Sequence, residues 1–144
     1  MTDASTISKV EYETIAEFRY AIRRFLHFSE TAAKKVGMTP QQHQALLAIV
    51  GYPGPEKMNI SVLAERLQLR HNSAVGLVNR LEAEKLIIRS PDPNDQRKIF
   101  ISLTERGLSI LEKLSMIHRE ELRRLSPQLR PLLEQFTKPV GDGN

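Results

Sequence analysis

The chain has 144 residues, which makes one domain, or a domain with an oligomerisation extension, and is too short for two catalytic lobes; at 40% apolar and 26% charged its composition is ordinary globular usage. It holds no cysteine, which excludes disulfides, thiolate metal or iron–sulfur centres and thiol-based peroxide sensing. The formal net charge of +4 hints at a polyanionic partner, and most of it lies in residues 66–103, where seven basic groups meet four acidic ones.

In chain order, apolar residues at Ile15, Phe18, Ile22, Phe25, Ala32 and Val36 trace one stripe of an amphipathic helix over about residues 9–35, which Gly37 is placed to end. Thr39-Pro40-Gln41-Gln42 supplies an N-cap, a proline at N1 and a capping-box glutamine. The helix that follows runs through Ala45, Leu46, Ile49 and Val50, and Gly51-Tyr52-Pro53-Gly54-Pro55 stops it. Two short helices come next. Asn59 or Ser61 caps the first, which buries Val62, Leu63 and Leu67; Asn72 caps the second, with Ala74, Leu77, Val78 and Leu81 on its inner face. This is the layout of a helix-turn-helix.

The period then changes to two. Leu86-Ile87-Ile88-Arg89 and Lys98 to Leu103 read as strands, with Ile99, Ile101 and Leu103 on one face, joined by the turn residues Pro91 to Gln96. Thr104 caps a helix through Leu108, Leu111, Leu114, Ile117, Leu122 and Leu125, and Ser126-Pro127 starts a last one through Leu129, Leu132, Leu133 and Phe136. Lys138 to Asn144 reads as a frayed tail. No apolar run approaches the ~20 residues that cross a bilayer, and the opening MTDASTISK lacks the features of a secretory signal. The expectation is a cytoplasmic protein without a membrane partner.

The fold class this predicts is mainly α with a small β wing: a winged helix-turn-helix lobe over residues 39–103, and a helical dimerisation region formed by residues 1–38 and 104–144. With the inner face of the second short helix buried, Asn72, Gly76, Asn79, Arg80 and Ala83 point outward. Two small residues let a helix approach another body closely, asparagine pairs with adenine, and arginine pairs with guanine or phosphate. Arg70, His71, Asn72 and Ser73 at the helix start suit a phosphate. Arg97 and Lys98 follow a turn stiffened by prolines, and a projecting arginine suits a narrow minor groove. Asp95 reads as a brace for Arg97 or for the turn. The expected partner is double-stranded DNA; the alternative is a winged-helix protein-interaction module that binds no DNA. The terminal helices carry more apolar surface, Phe18, Ile22, Leu125 and Phe136 among it, than one small lobe covers, so a two-fold dimer is expected.

The segments Leu63-Ala64-Glu65-Arg66-Leu67, Val78 to Ile87, Asp92-Pro93-Asn94-Asp95-Gln96-Arg97 and Leu103-Thr104-Glu105-Arg106-Gly107 resemble the MarR family of bacterial transcriptional regulators, in order and at the family's spacing. The likeness extends over nearly the whole chain. Asn94 stands where the commonest wing has arginine, so one family cation is missing while Arg97 is kept. The resemblance implies an obligate homodimer whose two winged helices read a palindrome, usually as a repressor. It also implies response to a small aromatic acid or phenol where the dimer helices meet the DNA-binding lobe, for which Arg19, Arg23, His43 and Leu47 offer cations, a hydrogen bond and an apolar wall.

Some members of the family bind zinc or manganese between these helices, where His27, His43 and His118 stand in this chain. Scattered histidines are more commonly ordinary surface or pocket groups, so no metal and no cofactor is expected. No phosphate loop, nucleophile elbow or H-E-x-x-H pair occurs, so no enzymatic activity is expected.

Overall fold

A computed structural model of the chain describes residues 6–54 and 57–137. The expected tail from Lys138, the opening residues 1–5 and Pro55 of the loop lie outside the described residues. Seven elements follow in order: α1 (Lys9–Lys35), α2 (Pro40–Val50), α3 (Ile60–Leu67), α4 (His71–Ala83), β1 (Ile87–Pro91), β2 (Ile99–Leu103) and α5 (Glu105–Glu134). They divide into two compact units, one from residues up to Ser29 and from Ile117 onward, the other spanning Glu30–Met116. Both unit boundaries fall inside the long helices α1 and α5.

In the Glu30–Met116 unit, helix ends follow local chemistry. Gly37, at φ +80°, lets the Met38 N–H reach the Ala33 carbonyl at 3.0 Å and closes α1. Thr39 caps α2, accepting from the Gln42 N–H while the Gln42 side chain accepts from the Thr39 N–H. Asn59, not Ser61, caps α3. The helices α3 and α4 both end on left-handed residues that are not glycine. Gln68 sits at φ 54° and Lys85 at φ 60°, and the next residue's N–H reaches back five residues in each case. Around these ends a core closes on Leu46, Met58, Leu63, Leu77, Leu81, Ile87, Ile101 and Leu114, all essentially buried. Val62 and Leu67 of α3 are only half-buried at its edge.

The strands β1 and β2 pair antiparallel with Ile87 opposite Leu103 and Pro91 opposite Ile99. Their alternation leaves the core toward the tip: Ile101 is buried, Leu103 half-buried and Ile99 exposed. The segment before α3 adds a short third rung, because the Ile101 N–H donates to the Met58 carbonyl at 2.9 Å and Asn59 pairs with Phe100. At the other end of β2, Thr104 caps α5, accepting from the Gly107 N–H at 3.0 Å and donating to the Lys85 carbonyl at 2.7 Å.

In the other unit, α1 and α5 run antiparallel. Thr14 meets Gln135 near one end, while His118 stands edge-on to Phe25 and Phe28 and within 2.8 Å of the Ser29 hydroxyl near the other. The Arg124 guanidinium, paired with Glu121, holds that carboxyl below the usual carboxylate range. The break expected at Ser126-Pro127 is absent, and α5 continues through Pro127 and Pro131. The two prolines are one helical turn apart on the same side, so the missing backbone donors fall along one row and the remaining rows carry the helix on. Leu125 is already buried within the single chain, and Phe18 is half-buried. The apolar surface this unit leaves open includes Ile22 and Phe136, as expected, together with Val10, Tyr12, Tyr20, Leu26, Leu122 and Leu133. No helix among the described residues is long and apolar enough to cross a membrane.

Candidate nucleic-acid interface

The inner face of α4 is as its spacing demands, with Ala74, Leu77, Val78 and Leu81 buried. Its start differs from the sequence expectation. The N-cap is Arg70, in extended geometry at φ −65° and ψ 150°, and Asn72 lies inside the first turn. The cause is the connection: Gln68 turns the chain left-handed, the half-buried Leu69 anchors it, and the Arg70 carbonyl accepts the first helical N–H, from Ala74, at 3.1 Å. Backbone geometry therefore opens the helix, and no side chain caps it. His71, Asn72 and Ser73 are exposed around first-turn N–H groups that carry the positive end of the helix dipole.

Further along, Asn79, Arg80 and Ala83 are exposed and Gly76 is half-buried. The Arg80 side chain lies back along the helix, with Nη1 3.6 Å from where a Gly76 Cβ would stand. The outer face thus presents a low strip at Gly76 with one guanidinium above it.

The wing tip is held by two aspartates acting on backbone, not on cations. Asp92 accepts from the Asn94 N–H at 2.8 Å, and Asp95 accepts from the Arg97 N–H at 3.0 Å. The Asp92 N–H donates to the Lys98 carbonyl at 2.9 Å and closes the loop. Asp95 is therefore a brace for the turn. Arg97 and Lys98 are exposed, and among the described residues the Arg97 guanidinium takes part in no ion pair.

One side chain at this face has no signal in the sequence. Arg89 on β1 donates to Asn79 Oδ1 at 2.6 Å and to Glu82 Oε1 at 3.1 Å, tying the hairpin to the outer side of α4. No local period places residue 89 beside residue 79; the contact exists only once the hairpin folds back along the helix. The expected small-molecule residues fall in different units. Arg19 and Arg23 are exposed on α1 in one, while His43 is buried and Leu47 exposed on α2 in the other. Among the described residues no three His, Asp or Glu side chains gather as a metal site. His27 and His118 belong to one unit and His43 to the other.

The MarR family model matches residues 36–98, the segment that contains α2, α3, α4 and β1. Among known proteins, an HTH-type transcriptional regulator of Bacillus subtilis, YkoM, is 28% identical over 131 residues, covering 86% of this chain and 83% of the relative. The homoprotocatechuate degradative operon repressor of Escherichia coli is 30% identical over 111 residues, covering 72% and 73%. Among solved structures, the MepR–DNA complex of Staphylococcus aureus superposes with a TM-score of 0.62 at 26% identity, over 77% of this chain and 83% of that one. With the lobe, its wing and these relatives in agreement, the chain belongs to the MarR family of transcriptional regulators.

Proposed function

We propose that this chain is a sequence-specific, double-stranded-DNA-binding repressor without enzymatic activity, acting in the cytoplasm as a homodimer on a palindromic operator and released by a small-molecule ligand. The observation that carries the reading is the outer side of α4 beside the braced wing. An uncapped helix start, a low strip at Gly76, Asn79 and Arg80 together form a face suited to a major groove, and Arg97 stands exposed beyond a turn that holds without it. The residues assigned to DNA are Arg70, His71, Asn72, Ser73, Gly76, Asn79, Arg80, Arg97 and Lys98. The likeness to a regulator solved in complex with DNA supports the assignment.

The homodimer accounts for the apolar side chains that α1 and α5 leave open, Tyr20, Leu26, Leu122 and Leu133 among them. Two-fold protein symmetry requires two-fold symmetric DNA. A small aromatic acid or phenol is the ligand class proposed for release. The name of the Escherichia coli relative, a repressor of a homoprotocatechuate degradative operon, points the same way. Footprinting on the DNA upstream of the chain's own gene tests the proposal. A protected, two-fold symmetric site with half-sites about one helical turn apart is expected; the absence of any protected site there and beside the neighbouring genes contradicts it.

A further inference from the structure

We propose that Arg89 sets which base Asn79 reads, by locking its amide so that it offers hydrogen-bond donors to the major groove in place of a donor–acceptor pair. The inference rests on the reading that α4 enters that groove. A guanidinium carries donors only, so the Asn79 atom 2.6 Å from Arg89 Nη2 is the carbonyl oxygen, and the amide nitrogen is the end left for a base. The lock is two-pronged. Arg89 Nη1 meets Glu82 Oε1 at 3.1 Å, three residues along the same helix, so the planar fork is held at both tips and cannot swing without losing an ion pair.

The pairing of asparagine with adenine requires the amide oxygen to accept from N6 while the nitrogen donates to N7. Here a positive charge already occupies the oxygen, which weakens it toward a further donor and polarises the N–H bonds outward. The locked amide therefore matches edges rich in acceptors, O6 and N7 of guanine or O4 of thymine. Arg89 acts as a positioning residue for specificity and requires no DNA contact of its own.

The test uses the full-length protein and its footprinted operator, with each of the four bases placed at every half-site position. Binding is measured for the unaltered chain, Asn79→Ala, Arg89→Met and Arg89→Lys. One position is expected to prefer guanine or thymine by about fivefold or more and to lose that preference in Asn79→Ala. Arg89→Met should move the same position toward adenine by about tenfold. Arg89→Lys, which retains a charge for Glu82 but not the fork, should move it part of the way. A preference of the unaltered chain for adenine or cytosine there overturns the proposal, and this holds even where Arg89→Met lowers the melting temperature. So does an even loss of affinity over all four bases in Arg89→Met, the signature of a phosphate contact or a plain strut. Failure of the unaltered chain to bind any operator counts against the proposed function instead.

Discussion

Gly107 passes the Leu86 carbonyl so closely that a Cβ at this position would stand 2.2 Å from the Leu86 oxygen. The neighbouring backbone is fixed on both sides, since the Leu86 oxygen accepts the Thr104 N–H at 3.0 Å and the Thr104 hydroxyl holds the Lys85 carbonyl. The end of α4, the start of β1 and the start of α5 meet at this point, so the glycine sets how α4 and the wing are joined to the start of α5.

Gly107→Ala should therefore destabilise the fold by about 3 kcal/mol, as an overpacked methyl against fixed backbone does. Gly76→Ala makes the contrast. Its Cβ would meet only the far end of Arg80, so stability should hold or rise by up to about 1 kcal/mol from helix propensity, while operator affinity falls. Urea unfolding and operator titration of both variants check the pair; a stable Gly107→Ala contradicts the close approach.

For the wing, stability and binding should separate. Asp95 accepts the backbone N–H of residue 97, a bond that persists when the Arg97 side chain is removed. Arg97→Ala should thus stay within ~0.5 kcal/mol of the parent in stability and weaken operator binding. Asp95→Ala, which removes the brace, should lose stability as well. Equal melting losses in the two variants, with affinity of the folded Arg97→Ala protein unchanged, would show that Arg97 is a strut.

Arg80→Ala should weaken specific operator binding by about 1–3 kcal/mol per half-site, the range of a bidentate base contact. Because the side chain is exposed and lies along its own helix, the melting temperature should barely move. Unchanged operator affinity would mean that the outer face of α4 meets something other than bases.

Much of this fold is legible in the chain because its causes are local. Thr39 with Gln42, Gly37, and the α4 stripe of Ala74, Leu77, Val78 and Leu81 each act within one or two helical turns. The misplacements have non-local causes. Asn72 is a better capping residue than Arg70, yet the tight connection at Gln68 and Leu69 starts α4 early. Pro127 resembles a helix start, yet α5 runs through it. The nine residues assigned to DNA under the proposed function follow from helix phase and turn chemistry. Arg89 does not, since its partners stand ten and seven residues away across a chain reversal.

Dimerisation has its own readout. Leu133 is 56% exposed and Tyr12 62% exposed in the single chain, a large apolar cost to leave in water. Sedimentation at micromolar concentration should give twice the 16.4 kDa chain mass, and Leu133→Glu should shift it toward the monomer. A compact, stable monomer of the unaltered chain contradicts the dimer.

Whether the Glu30–Met116 lobe reads DNA or docks a protein is decided by the salt dependence of binding to the footprinted operator. Neutralising phosphates releases counterions, so the logarithm of affinity should fall linearly with the logarithm of salt concentration. The slope should be steep, with a loss of about a thousandfold or more between roughly 50 and 200 mM if six or more phosphates are contacted. Binding that is weak and nearly flat in salt, with no preference for the operator over random duplex, would contradict the DNA reading.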